Sequence, residues 1–148
     1  MEELKNDDMP IGFLIHLFYR AFKRRIRKIC VRNGINSTYG YIVSFLHHSP
    51  NQQNCQNAIV DHVRLKAPTI SLTLKQMEQL NLIERKNDVV DTRKTICSLT
   101  KAGNDFSKKF QECINEAEND LLKNVEEEEI VQFRSIFKKM MKNIEGDN

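Results

Sequence analysis

The sequence predicts a mainly α-helical chain with a small β-hairpin, on three observations. Apolar residues recur at spacings of three and four along most of its length. Strand-like runs rich in β-branched residues occupy residues 82–86 and 95–99, on either side of a polar segment. A length of 148 residues suits one domain with a substantial core, not two independent ones.

The elements follow in order. Asp8 and Pro10 mark a helix start, since proline's missing N–H costs nothing in a first turn. Ile11, Ile15, Phe18, Phe22, Ile26 and Ile29 then form one apolar stripe, and Asn33-Gly34 ends the helix through a left-handed cap. Asn36 caps a second helix carrying Tyr39, Ile42, Val43, Phe45 and Leu46, which stops near Ser49-Pro50. Residues 51–54 read as a polar loop before a short third helix with Ala58, Ile59 and Val63. A fourth helix spans about residues 67–80, followed by the hairpin with its loop at residues 87–94. Thr100 caps a long fifth helix, and a sixth begins near Asn124, where four glutamates favour the positive end of its dipole. Its Ile130, Phe133, Phe137, Met140 and Ile144 make a heptad-like seam. One copy offers the first and last helices little to bury these stripes against. They are either ordinary core or surfaces that pair with a second copy.

Charge is informative through its distribution. The net formal charge is only +3, but residues 1–61 carry +3, residues 62–101 carry +4 and residues 102–148 carry −4. Such asymmetry orients a protein on a polyanion with its acidic end away. The fourth helix turns Ile70, Leu74 and Met77 inward and Pro68, Leu72, Lys75 and Gln79 outward. Thr69 and Ser71 can hydrogen-bond base edges or phosphates, while Lys66 and Lys75 can neutralise phosphates. Arg85, Lys86, Arg93 and Lys94 form a basic set at the two strand ends, suited to a phosphate backbone or minor groove and equally to a solvated loop. A second basic run, Arg20, Lys23, Arg24, Arg25, Arg27, Lys28 and Arg32, contains no acid. It suits flanking phosphates, the acidic C-terminal helices or plain solvation.

Other chemistry is thin. The four cysteines, Cys30, Cys55, Cys97 and Cys113, show no C-x-x-C pair or zinc-finger spacing. Cys30 sits among Arg27, Lys28 and Arg32, cations that would lower a thiol's pKa, although a buried, inert cysteine is the plainer expectation. There is no phosphate-binding glycine loop, no H-E-x-x-H and no nucleophile–base constellation. The expectation is therefore no enzyme, no cofactor and no metal. The longest apolar run, residues 11–17, is too short to cross a bilayer and follows acidic residues, so no membrane and a cytoplasmic location are expected.

Residues 64–103 carry a family resemblance. Leu65, Lys66, Pro68, Thr69, Ile70 and Ser71 open the fourth helix; Leu80 and Leu82-Ile83-Glu84-Arg85 leave it. Asp91 and Arg93 follow, then Leu99-Thr100 and Gly103, and the D-x-R…L-T-x-x-G spacing aligns without insertion. This stretch resembles the winged helix-turn-helix core of the MarR (multiple antibiotic resistance regulator) family, and a weaker resemblance covers nearly the whole chain.

The resemblance implies a homodimeric regulator of transcription, a repressor on a pseudo-palindromic double-stranded DNA site, often responsive to a small ligand or an oxidant. It implies a winged helix-turn-helix at residues 35–100, with dimerisation helices at residues 8–34 and 101–145 using Ile11, Ile15, Phe18, Ile130, Phe133, Phe137, Met140 and Ile144. The DNA set becomes Lys66, Pro68, Thr69, Ser71, Leu72, Lys75, Arg85, Lys86, Asp91, Arg93 and Lys94. Relatives bind aromatic acids in a cleft beside the winged region, where His16, Tyr19, Tyr39 and Tyr41 are available; core packing is an equal use for them. Three positions depart from the family pattern. Leu72 stands where relatives commonly carry arginine, Thr92 where an arginine is often found, and Asn81 replaces a glycine after the helix. A protein-interaction module on the same scaffold is the alternative function.

Overall fold

The computed structural model describes residues 8–146. Among them are helices α1 (Ile11–Arg32), α2 (Ser37–His48), α3 (Gln56–Val63), α4 (Ala67–Gln79), α5 (Lys101–Leu121) and α6 (Glu127–Glu145). Three strands accompany them: β1 (Gln53–Cys55), β2 (Ile83–Asn87) and β3 (Thr95–Leu99). The chain divides into two compact units, Met1–Ala117 and Glu118–Asn148.

Local chemistry accounts for the helix ends. The Ile35 N–H donates to the Cys30 carbonyl at 2.8 Å and the Gly34 N–H to that of Val31 at 3.1 Å, with Gly34 left-handed at φ 69°. That double closure is the Schellman motif, so Asn33-Gly34 stops α1 as expected. The Asn36 side chain accepts from the amides of Thr38 and Tyr39, satisfying two orphan donors of α2.

The sheet is where the fold differs from expectation. Its order is β1-β3-β2, antiparallel throughout, with Asn54 opposite Cys97 and Arg85 opposite Cys97 from the other side. Residues 51–54, expected as a loop, instead form a short 3₁₀ turn over Pro50–Gln52 and then strand β1. The strand is polar and three residues long, so no apolar alternation marks it; pairing with β3 creates it, aided by the Ser98 hydroxyl donating to Gln53 Oε1 at 3.1 Å.

The first unit has two buried clusters. One joins Ile42, Val43 and Leu46 of α2, Ile59 of α3 and the inner face of α4 to Ile83 and Cys97 of the sheet. The other joins Ile26, Ile29 and Cys30 of α1 to Phe110, Cys113 and Ala117 of α5. Two glycines permit close approach. A Cβ at Gly40 would lie 2.2 Å from Phe110 Cδ2, and one at Gly103 would lie 2.1 Å from the Leu82 carbonyl oxygen. The α1 stripe is only half used: Ile26 and Ile29 are buried, while Ile11, Ile15 and Phe18 are exposed, Phe18 at 47 %.

In the second unit, α6 starts at Glu127, later than the expected Asn124, which is itself left-handed at φ 62°. Glu126 is the N-cap and forms a reciprocal capping box with Glu129, so the acidic run fixes the start as well as matching the dipole. Among the seam residues, Ile130 and Met140 are half-buried and Phe133, Phe137 and Ile144 exposed, Phe133 at 61 % and stacked on Phe137 at 5.9 Å.

Candidate nucleic-acid interface

Helix α4 is built to present its outer face. Ile70, Leu74 and Met77 are fully buried, which fixes the helix's rotation. Thr73 is also buried, its hydroxyl donating to the Thr69 carbonyl at 2.8 Å. Lys66, Pro68, Thr69, Ser71, Leu72 and Lys75 are all exposed over the first two and a half turns. The helix ends in a second Schellman closure, Leu82 N–H to Met77 carbonyl and Asn81 N–H to Glu78 carbonyl, both 2.9 Å. Asn81 takes the left-handed residue's place at φ 58°, so the missing glycine does not cost the turn.

The L-T-x-x-G run has a structural explanation. The Thr100 hydroxyl donates to the Asn81 carbonyl at 2.6 Å and accepts from the Gly103 N–H at 2.9 Å, capping α5 while gripping the turn after α4. The Thr100 N–H donates to the Leu82 carbonyl at 3.2 Å, the same oxygen that a Cβ at Gly103 would strike. Helix α4, the sheet and α5 therefore meet at one backbone junction.

The wing loop, residues 88–94, is closed by the Asp88 N–H on the Lys94 carbonyl and the Lys94 N–H on the Asp91 carbonyl, both 2.9 Å. Arg93 donates to Asp91 through Nε at 3.1 Å and through its own N–H at 3.2 Å, yet its side chain remains 89 % exposed. These hydrogen bonds hold the Asp91 carboxyl below its ordinary range. At the apex, Val89 and Val90 are each 94 % exposed. The two strand-end arginines differ. Arg85 is half-buried and donates through Nε and Nη2 to Glu78 Oε2 at 3.0 and 2.8 Å, lowering the Glu78 pKa. Lys86 lies 3.6 Å from Glu84 on the surface. Of the basic set, Arg93 and Lys94 thus face solvent at the wing while Arg85 braces α4 against β2.

The second basic run lines a cavity of about 730 Å³ in the first unit, with Arg20, Lys23, Arg24 and Arg27 on one wall and the start of α2 on another. A neighbouring hollow of about 540 Å³ shares Lys23 and Tyr41 and adds Tyr19. The Lys23 ammonium sits 5.5 Å from the Tyr19 ring and 5.1 Å from that of Tyr41. The Tyr41 hydroxyl is buried without a hydrogen-bond partner; burial, then Tyr19 and Cys30, pushes its pKa up to about 12. Two of the four sequence-proposed ligand residues come together here. His16 instead stacks on Phe13, and the Tyr39 hydroxyl donates to Gln76 Oε1 at 3.1 Å beside the winged core. Sequence reasoning grouped these cations as one run but did not foresee that Arg20, Lys23, Arg24 and Arg27 line a cavity, although 20, 24 and 27 share one helical face. Arg32, from the same run, pairs with Glu116 of α5.

The thiols separate by burial. Cys30 is pushed up to about 12 by burial and by Cys113, and Cys97 to about 11 by burial. The cations beside Cys30 therefore do not activate it. In the native chain a disulfide reagent such as Ellman's is expected to modify the half-buried Cys55 first, with Cys30, Cys97 and Cys113 reacting only on unfolding. Rapid modification of Cys30 in the native chain would contradict the burial argument.

Among the described residues no group of three or more His, Cys, Asp or Glu could hold a metal ion, and no helix is long and apolar enough to cross a membrane.

No protein-family model matches the chain. Solved structures do. Wild-type MarR from E. coli superposes with a TM-score of 0.82 at 16 % identity, covering 91 % of this chain and 98 % of that one. S. aureus MepR in complex with DNA gives 0.72 at 24 % identity, covering 92 % and 99 %. AbsC, a MarR family transcriptional regulator from Streptomyces coelicolor, gives 0.73 at 17 %, covering 96 % and 97 %. The fold of this chain is the winged-helix fold of MarR-family regulators.

Proposed function

We propose that this chain is a sequence-specific, double-stranded DNA-binding regulator of transcription. It acts in the cytoplasm as a homodimeric repressor on a pseudo-palindromic operator. The observation that carries this is the exposed outer face of α4 and its N-cap, bearing Lys66, Thr69, Ser71 and Lys75, beside a wing bearing Arg93 and Lys94. In helix-turn-helix proteins the second helix offers its N-terminal residues to base edges while flanking cations hold phosphates. Two copies would read half-sites one helical turn apart, roughly 34 Å. That a relative of this fold was crystallised with DNA supports the reading.

The test is a salt titration on an operator, located by footprinting the DNA that flanks the coding region, and on a scrambled duplex. Arg93→Ala is expected to weaken binding to both and to flatten the slope of log K against log salt by about one for each phosphate no longer neutralised. Ser71→Ala or Thr69→Ala should instead narrow the difference between operator and scrambled duplex, by roughly 0.5–1.5 kcal/mol for the single base-edge hydrogen bond lost. Leu72→Arg should raise affinity for both duplexes. Absence of salt-sensitive duplex binding would leave the winged helix as a scaffold for docking another protein.

Each unit leaves an apolar face uncovered, α1 at Ile11, Ile15 and Phe18 and α6 at Phe133, Phe137 and Ile144. Pairing with a second copy covers both. Phe18→Asp and Phe137→Asp would each bury an uncompensated charge in that interface and yield monomer or aggregate. Sedimentation of the wild type as a monomer at micromolar concentration would end the homodimer reading.

Repression is relieved, in this reading, by a small aromatic acid in the cavity between Arg20–Arg27 and Tyr41, its carboxylate on the cations and its ring against Tyr19 or Tyr41. A ligand that favours one separation of the two α4 helices shifts the population by its differential affinity for the two states.

A further inference from the structure

The outer face of α4 has an unusual inventory for a helix that discriminates base pairs. Strong discrimination by hydrogen bonds comes from bidentate side chains, Arg or Lys on guanine and Asn or Gln on adenine. Helix α4, APTISLTLKQMEQ, contains no arginine and no asparagine. Its glutamines fall late: Gln76 is held by the Tyr39 hydroxyl, and Gln79 is the final residue. Thr73 is buried and bonded back to its own helix. Ser71 and Thr69 are left to offer single hydrogen bonds, and Lys66 and Lys75 offer point charges suited to phosphates.

At the centre of this face sits a large apolar side chain. Leu72 is 59 % exposed, one turn beyond the exposed Pro68, so the two make a short apolar ridge flanked by Lys66 and Lys75. With Lys66 and Lys75 holding phosphates, as in the reading above, that ridge faces the groove floor. The one apolar group there that distinguishes base pairs is the C5-methyl of thymine. We propose that Leu72 reads thymine C5-methyl groups and is a specificity determinant of the operator beside Thr69 and Ser71. This rests on the DNA-binding reading above and goes beyond it by naming what is read.

The test uses the full chain and a duplex selected by it from a randomised pool, resynthesised with single dT→dU exchanges. The exchange deletes the methyl and keeps every hydrogen-bonding group. The wild type is expected to bind about fourfold more weakly for each methyl removed from beneath the leucine, the value of one buried methyl-sized group. Leu72→Ala, an exposed substitution that leaves the core intact, should bind dT and dU duplexes equally. Leu72→Met should retain the preference for dT. A wild type indifferent to every dT→dU exchange, or a Leu72→Ala variant that keeps the preference, overturns the proposal while leaving duplex binding intact. Failure of the wild type to bind any duplex overturns the DNA-binding reading itself.

Discussion

Gly103→Ala is expected to lower the free energy of unfolding by about 3 kcal/mol, the upper end of the range for overpacking. The added methyl would sit 2.1 Å from the Leu82 carbonyl oxygen and 3.0 Å from Leu99 Cδ2. The first of these is backbone and cannot rotate away. Relief requires α5 to lift off the start of β2, which also strains the Thr100 N–H bond to that oxygen and the Thr100 grip on Asn81. Alanine's higher helix propensity, worth up to about 1 kcal/mol, acts in the opposite direction and is outweighed. Urea unfolding measures the difference. A variant as stable as the wild type would show that the junction has slack.

The second large effect concerns Gly40 and Phe110. Phe110→Ala should cost about 3–5 kcal/mol, because the ring is buried against α1 and α2 and meets Tyr41 edge-on at 5.1 Å. Gly40→Ala alone should cost about 1–3 kcal/mol, since its Cβ would lie within 2.5 Å of Phe110 Cδ2, Cε2 and Cγ. In the Phe110→Ala background the same substitution meets empty space and stabilises α2 by up to about 1 kcal/mol through propensity. The sign reversal across the cycle is the measurement. Additive costs would mean that the two side chains do not touch.

Much of the fold was legible because it follows from local rules. The inward face of α4 follows from spacing alone: Ile70, Leu74 and Met77 can lie together only on a helix. The left-handed Asn81 and the Asn36 and Thr100 caps follow from what those side chains can bond. Strand β1 was not legible, since Gln53, Asn54 and Cys55 acquire strand geometry only from a partner more than forty residues away. Glycines hide similarly: nothing near Gly40 in sequence foretells a phenylalanine ring from α5. At the candidate interface, residue types told which groups are cationic but not which are engaged. Arg85 and Arg93 look alike as letters. One is tied to Glu78 across the turn from α4 to β2, the other paired within an exposed loop. The cavity cations were visible as a run, yet only the three-dimensional approach of α1 and α2 turns that run into a wall.

The sheet order has a mechanical consequence. Because β1 pairs with β3 and not with β2, the wing is a cantilever clamped at its root along its β3 edge. The clamp is continuous with Cys97 and the helices packed on it, so the stem opens only when the surrounding cooperative unit opens. The tip, residues 88–94, has only its own turn bonds and fluctuates on the faster timescale of loops. Thermal motion of the winged region is therefore concentrated at its far end: α4 and the stem move together, and the compliance lies in the valine-tipped apex.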